Sequence, residues 1–422
     1  MKVGHIITAI DIGTTKICVI VAVVNEENKL EIKGIGTGPS QGMDNGVFID
    51  MVKASDAIRE VIKKAEEMAE ISARNIYVGI AGNHIKSQNT LGRISLTTGS
   101  EPCEINSEHV RNVIANSKNN VKLQQGNERL EIIHAIPQYF EIDGQEGIMN
   151  PVNMSGFNLT AYVHIVMADI NTLRNISKCI DIAGYPVEEI FLEPIASSYA
   201  ILNDVEKSLG SILMDIGGGT TDIAVFYKGS IRFSAVIPMG GTNITHDISI
   251  GLHTSPQNAE QIKVNLGSAI AAEIPDNKLI EIEGIGGRGN KQKKLRYLTE
   301  IIEARMSEIL ENSYRILDEN NELNMLTAGL TITGGASLLK NNEKLAEKIF
   351  NMSTKIGYPN LSRLAGPTER LDNPKYATSV GILYYVQQIL SGGKQKNIQS
   401  VSMKDPFKNI WKKIVEFFKE YA

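Results

Sequence analysis

The chain reads as an α/β protein made of two related halves that face each other across a cleft. Three observations predict this. A short motif occurs twice, as Asp11-Ile12-Gly13-Thr14-Thr15-Lys16 and, half a chain later, as Asp215-Ile216-Gly217-Gly218-Gly219-Thr220-Thr221-Asp222. Each copy lies between two apolar, β-branched runs, 6–10 and 17–24 in the first case and 211–214 and 223–227 in the second, the pattern of strand, turn and returning strand. Elsewhere apolar residues recur at helical spacing, as in Ala57, Ile58, Val61, Ile62, Ala65, Met68 and Ala69.

The two turns have the composition of a phosphate site. Glycine lets a turn adopt positive φ and brings a ligand close to the backbone. Successive backbone N–H groups then form an anion-binding concavity. Thr14, Thr15, Thr220 and Thr221 add hydroxyl donors, and Lys16 adds a point charge. Asp11 and Asp215 repel phosphate, and make sense with a hydrated Mg²⁺ between. One copy alone fits an ordinary Gly-Thr hairpin as well. Two copies in matching contexts favour a shared ligand.

Other phosphate motifs are missing or unconvincing. No G-x-x-x-x-G-K-[ST] occurs. The G-x-G-x-x-G from Gly284 to Gly289 follows a run, 279–283, that alternates apolar and charged residues. That is a half-exposed strand, so the glycines are expected at a loop tip.

Composition narrows the class. The 422 residues allow two to four domains, and a net charge of −5 argues against general nucleic-acid binding. Cys18, Cys103 and Cys179 are odd in number and far apart, which predicts reduced thiols of a cytosolic protein and no metal or redox pair. Cys18 alternates with Ile17 and Val19 and is expected in the core. The seven histidines lack metal-ligand spacing. A core strand follows the first residues directly, and no run of about 20 apolar residues suggests a membrane span.

Along the chain, residues 1–83 are expected to form the core of the first half, with a helix from 55 to about 71 and a strand at 76–80. Residues 84–162 read as an inserted block, with a helix around 107–117 and strands at 130–136 and 159–166. A strand at 162–167 and a helix at 170–183 resume the first half, which runs over 163–201 and returns at about 360–390. The core of the second half is expected at 202–239 and about 307–359, with an outer lobe at 240–306. In that lobe Glu260 and Lys263 share a helix face and by themselves make a surface ion pair. The basic stretch Arg288, Lys291, Lys293, Lys294 and Arg296, with Arg305 beyond it, by itself is a solvated face.

The C-terminus changes character. Residues 391–404, rich in Gly, Ser, Gln and Lys, read as a flexible linker with an r.m.s. reach of roughly 20 Å. In 405–422, Asp405 can cap a helix and Pro406 can occupy its first turn. Phe407, Ile410, Trp411, Ile414, Phe417, Phe418 and Tyr421 then fall on one arc at ~100° per residue. Lys408, Lys412 and Lys413 flank them. The only Trp and three of the ten Phe are gathered here, behind a linker that uncouples them from the body. This predicts a helix lying in the plane of an anionic membrane surface.

The two turns resemble the phosphate-1 and phosphate-2 loops of the actin, sugar-kinase and DnaK-type chaperone superfamily. Leu192-Glu193-Pro194-Ile195-Ala196-Ser197-Ser198-Tyr199-Ala200 resembles its first connecting helix, and 374–385, with Gly381, its second. Ile332-Thr333-Gly334-Gly335-Ala336-Ser337 resembles its adenosine motif. Within the superfamily, Pro39-Ser40-Gln41-Gly42-Met43-Asp44-Asn45-Gly46-Val47-Phe48-Ile49-Asp50, Ile80-Ala81-Gly82-Asn83-His84 and the tail are similar to the FtsA family of bacterial cell-division proteins.

The resemblance implies an actin-like ATPase fold with an FtsA-type inserted subdomain and a C-terminal amphipathic helix. It implies ATP with Mg²⁺ in the cleft. Gly13, Thr14, Thr15, Lys16, Gly217, Gly218, Gly219, Thr220 and Thr221 would bind phosphates. Glu260, Lys263, Gly334, Gly335, Ala336 and Ser337 would bind the nucleoside. Asp11 and Asp215 would hold Mg²⁺ through water, and Glu193 would orient an attacking water, with weak hydrolysis at most. It implies self-association through the inserted subdomain, an acidic FtsZ tail on the outer lobe at Arg288, Lys293, Lys294 and Arg305, and recruitment of later division proteins. The location implied is peripheral, on the cytoplasmic face of the membrane at the septum. A small-molecule kinase and a pilus-assembly ATPase of the same fold are the alternatives; neither has a use for the tail.

Overall fold

The computed structural model describes residues 3–44, 46–97, 99–124, 129–324 and 326–391. The first half opens with β1 (Ile6–Ile12), β2 (Lys16–Val24) and β3 (Leu30–Pro39). β1 and β2 are apolar on both faces because layers cover both sides of their sheet. Helix α1 (Met51–Ala69) starts at Met51 rather than at 55, because Asp50 caps it, accepting from the backbone N–H of Val52 at 3.2 Å and of Lys53 at 3.1 Å. β4 (Ile76–Ile80) follows where expected.

The inserted block contains β5 (Ile85–Ser95), α2 (Ser107–Gln124), β6 (Leu130–Ile142), β7 (Gln145–Ile148) and β8 (Asn158–Asp169). Among the described residues these strands form one antiparallel sheet in the order β7-β6-β8-β5. Val110, Val113 and Ile114 of α2 pack with Phe140, Leu159, Ala161 and Val163 in a core of its own. One expectation is corrected here. The strand at 162–167 does not resume the first half. It is the middle of β8, which pairs with β5 and β6 along its length, so the inserted sheet reaches Asp169. The misreading has a physical cause: Val163, Ile165 and Met167 enter the inserted core while Val166 and Ala168 enter the first-half core. A strand buried on both faces has no alternation to betray its sheet.

Helix α3 (Ile170–Ala183), β9 (Val187–Leu192) and α4 (Glu193–Ile201) return to the first half. The second half then repeats the first. β10 (Ser211–Ile216), β11 (Thr221–Tyr227) and β12 (Ser230–Ile237) lead to α5 (Gly241–Leu252) and α6 (Pro256–Leu266). The pair β13 (Leu279–Ile282) and β14 (Lys291–Lys294) forms a hairpin whose tip is the glycine-rich 284–289, as expected. Helix α7 (Leu295–Glu319), β15 (Leu330–Thr333), α8 (Asn342–Phe350) and β16 (Thr354–Ile356) complete that half. β17 (Leu364–Ala365) and α9 (Ala377–Ser391) go back to the first.

Among the described residues the first-half sheet has the order β9-β4-β1-β2-β3-β17 and the second β16-β15-β10-β11-β12. Both set a central strand parallel to one neighbour and antiparallel to the other. α4 and α9 cross between the halves, and Gly381 permits the crossing, since a methyl group there would lie 2.0 Å from the Ala196 carbonyl oxygen. The expected amphipathic stretch 405–422, and the linker from 392, lie outside the described residues. Among those described, no helix is long and apolar enough to cross a membrane.

Candidate functional site

The repeated motif folds into two hairpin turns of equal register. In the first, Asp11 lies opposite Cys18 and the Gly13 N–H donates to the Lys16 carbonyl at 3.0 Å. In the second, Asp215 lies opposite Asp222 and the Gly217 N–H donates to the Thr220 carbonyl at 2.9 Å. The two turns meet. A methyl group on Gly218 would lie 2.7 Å from Thr15 Cγ2. Helix α5 begins on the second turn: Gly241 N donates to the Gly217 carbonyl at 2.9 Å and Thr242 N to the Gly218 carbonyl at 2.8 Å.

Not every predicted hydroxyl faces this junction. Thr15 is exposed and Thr14 half-buried. The Thr220 hydroxyl donates to Asp222 at 3.0 Å. Thr221 is a correction: it is the first residue of β11, wholly buried, and its hydroxyl donates to the Met239 carbonyl at 2.8 Å. It shapes the turn from behind and is not placed to donate to a ligand.

Behind the turns lies a group of interacting carboxyls. Asp11 and Asp215 are both buried. Ser197 of α4 donates to Asp215 Oδ2 at 3.0 Å, and Thr378 of α9 approaches the same oxygen at 3.4 Å. Burial and the neighbouring Asp11 push Asp215 up to about 6. Burial raises Asp11 against the pull of Lys16. Burial, then Asp11, Asp222 and Asp215, hold Glu193 well above the ordinary carboxyl range. Burial and Asp215 do the same to Asp222, whose Oδ1 is buried without a partner. The Lys16 ammonium donates to the Lys375 carbonyl at 2.6 Å and lies 4.3 Å above the Tyr376 ring. Among the described residues no group of three or more His, Cys, Asp or Glu side chains is placed to hold a metal ion directly.

The third part of the cleft joins α5, α6 and the loop after β15. Gly334 adopts φ +85°, and a methyl group there would lie 2.3 Å from Asp215 Oδ1, so this loop presses on the carboxyl cluster. Ser337 is buried and donates back to the Gly334 carbonyl at 2.7 Å. Gly335 faces open space. The buried Lys263 ammonium contacts Glu260 Oε2 at 2.7 Å, the Gly241 carbonyl at 2.8 Å and Thr245 Oγ1 at 2.7 Å. Burial lowers its pKa and Glu260 opposes that shift. Ala336 lies beside Gly241. Sequence reasoning found both ends of this network but missed Thr245, and it missed Ser197, Thr378 and the role of Asp222. The sole signal was Asp222 standing inside the second motif.

The outer-lobe cations divide. Arg288 is exposed at the hairpin tip. Lys293, Lys294 and Arg296 line a cleft with Tyr297, Asp276 and Glu300. Arg305 lies elsewhere, nine residues or roughly 13 Å further along α7 than Arg296. Its guanidinium grips Asp247, with Nε–Oδ2 at 2.6 Å and Nη2–Oδ1 at 3.2 Å, and also contacts Glu308 at 2.5 Å. The structure therefore does not gather Arg305 with the other three.

Two repeated α/β halves, crossed helices and paired turns define an actin-like fold. Solved structures share it. The chain aligns with the PilM-PilN type IV pilus biogenesis complex at a TM-score of 0.65 and 13% identity, covering 90% of this chain and 98% of that one. It aligns with MreB 5 of Spiroplasma citri bound to AMPPNP at 0.55 and 14%, covering 92% and 99%. At these identities the likeness concerns the fold alone. The family is more specific. A family model described as "Cell division protein FtsA" matches residues 212–381, and one described as "SHS2 domain inserted in FTSA" matches 82–167. The cell division protein FtsA of Pseudomonas aeruginosa is 36% identical over 399 residues, 94% of this chain and 93% of the relative. That of Borreliella burgdorferi is 33% identical over 417 residues, 96% and 99%, and that of Escherichia coli K12 is 33% identical over 387 residues, 90% of each. The chain belongs to the FtsA family and is an actin-like cell-division protein.

Proposed function

We propose that the chain binds ATP with Mg²⁺ in its cleft, assembles with copies of itself at the cytoplasmic face of the membrane, and holds the FtsZ ring there. The observation that carries the nucleotide reading is the meeting of two turns of equal register, Thr15 against Gly218, in front of buried carboxyls short of cations. The residues fit the ligand. Gly13, Thr14, Thr15, Lys16 and Gly217 to Thr220 would hold phosphates. Glu260, Lys263 and Gly334 to Ser337 would hold the nucleoside, with room beside Gly335. Asp11 and Asp215 would hold hydrated Mg²⁺, which supplies the positive charge that these carboxyls and phosphates both need. Glu193, whose carboxyl burial and then Asp11, Asp222 and Asp215 hold above the ordinary range, would orient an attacking water, with weak hydrolysis at most. The nucleotide then acts as a clamp, through its differential affinity for the closed, assembling state.

The inserted subdomain is the proposed self-association surface. The cleft of Lys293, Lys294 and Tyr297, with Arg288 at the hairpin tip, is the proposed seat of the acidic FtsZ tail. Arg305, already satisfied by Asp247 and Glu308, is left out of it. Phe407, Ile410, Trp411, Ile414, Phe417 and Phe418 would insert into the membrane. Co-sedimentation with anionic liposomes in the presence of ATP tests the reading. The intact chain should bind, and a chain ending at Leu390 should not. Equal binding of the two removes the anchor.

A further inference from the structure

Among the described residues the inserted subdomain is fastened to the second half by side chains, not by a strand ladder. β12 is the edge strand of its sheet. Its backbone carbonyls accept from the inserted sheet. Gln138 Nε2 reaches the Ile231 carbonyl at 3.0 Å and that of Arg232 at 3.2 Å. Asn89 Nδ2 reaches the Arg232 carbonyl at 2.9 Å, and Ser87 Oγ reaches that of Ser234 at 2.6 Å. In return Ser230 Oγ donates to the Pro137 carbonyl at 3.0 Å. The buried His164 spans the seam, with Nδ1 2.8 Å from Asn89 Oδ1 and Nε2 3.0 Å from Ser234 Oγ. Strand edges are commonly covered to stop them pairing with other chains. Here the cover is in large part polar, beside the buried Ile231, and hydrogen bonds of this kind exchange for bonds to water at small net cost.

The same strand runs into the phosphate turn. Ile237, its last residue, pairs with Thr221. The next carbonyls and amides are locked to that turn: Met239 O accepts from Thr221, while Gly241 N and Thr242 N donate to Gly217 and Gly218. Ser234, inside the seam, and Gly240, against the turn, are six residues apart on one continuous segment. A displacement of the turn therefore moves the surface on which the inserted subdomain sits.

We propose that this seam is a latch: closure of the inserted subdomain on β12 and binding of nucleotide at the turns favour each other. The sign follows from the structure, in which the seam is made while the two turns are in contact, the arrangement that the nucleotide reading takes as the bound one. A ligand that favours this state strengthens the seam, and by linkage the seam strengthens ligand binding. The latch rests on the nucleotide reading above, and would give the self-association surface an orientation set by the cleft.

Hydrogen exchange on the full, unmodified chain reads the latch directly. Mg²⁺–ATP should slow exchange in 85–95 and 230–237 more than in α2, on the far side of the inserted sheet. A variant carrying Ser87→Ala, Asn89→Ala and Gln138→Ala, none of them in the cleft, should bind a fluorescent ATP analogue roughly five-fold or more weakly. If the unmodified chain binds ATP and exchange in both segments stays the same, the latch is wrong and the nucleotide reading stands. An unchanged affinity in the folded triple variant also overturns the latch. A chain that binds no ATP overturns both. The exchange arm needs no substitution, so a triple variant that fails to fold leaves the test intact.

Discussion

Gly218 packs directly on Thr15 across the cleft, so closely that a single methyl group would fall 2.7 Å from Thr15 Cγ2 and 2.9 Å from its hydroxyl oxygen. The two turns can thus touch because one of them carries no side chain there. Gly218→Val should force them apart without disturbing either sheet. We expect at least a ten-fold loss of ATP affinity, about 1.4 kcal/mol, with little change in melting temperature. Unchanged ATP affinity in a folded variant would separate this contact from ligand binding.

Lys16 and Lys263 should fail differently. In the proposed reading Lys16 would serve the phosphate end, and Lys263, which ties Glu260, Thr245 and Gly241 together, would serve the nucleoside end. Lys16→Ala should weaken ATP more than ADP. Lys263→Met should weaken both alike, and leaves buried acceptors unpaired, which costs about 1–3 kcal/mol of stability. Titrations with the two nucleotides check the contrast; identical ATP-to-ADP ratios in the two variants refute it.

The outer-lobe cleft predicts a charge reversal. Lys293→Glu with Lys294→Glu should weaken binding of an acidic FtsZ tail peptide at least ten-fold and make what remains insensitive to salt. Arg305→Ala should leave peptide affinity within about two-fold, because that guanidinium is paired inside the lobe. Peptide binding by fluorescence anisotropy at two ionic strengths decides this. Loss of binding in the Arg305 variant alone would put the tail on another face.

At the helix crossing, Gly381→Ala places a methyl group 2.0 Å from the Ala196 carbonyl oxygen and 2.4 Å from its carbon. Backbone of α4 must move to admit it. The expected destabilisation is at least about 1–3 kcal/mol, read by denaturant unfolding. A variant as stable as the parent would mean that the two helices can slide.

Two buried histidines give a pH dependence. Burial lowers His164 to about 4, and burial with the neighbouring His164 lowers His134 to about 3. The ordinary value is 6.5, so below it the unfolded chain takes up protons that the folded chain refuses. Stability from these groups is complete above 6.5 and is lost as pH falls toward 4. His164→Gln should flatten the fall in melting temperature between pH 6.5 and about 4. A profile of unchanged slope would show that His164 does not stay neutral in the fold.

Much of the cleft was legible because its residues have local reasons to be where they are. Gly13 and Gly217 mark turns, and the β-branched runs around them mark strands, within a few residues each. Glu260 and Lys263 were visible as a pair through helical spacing alone. The errors came where a position depends on what packs from outside. Thr221 reads like Thr220, but it opens a strand and is turned inward. Arg305 reads like Arg288, but Asp247 from another helix claims it. Residues 162–167 read as a core strand of the first half, and belong to a sheet that shares both cores.

By itself the sequence determined the two turns and their flanking strands, since each is a matter of period or turn chemistry over a short window. Tertiary structure decided which groups face one another. It set Thr15 on Gly218, surrounded Asp215 with Ser197 and Thr378, and laid His164 across the seam to Ser234. These contacts join residues tens to hundreds of positions apart, and no local pattern encodes them. They follow from the packing of two sheets and two crossing helices, whose close approach leaves each buried polar group few partners within reach.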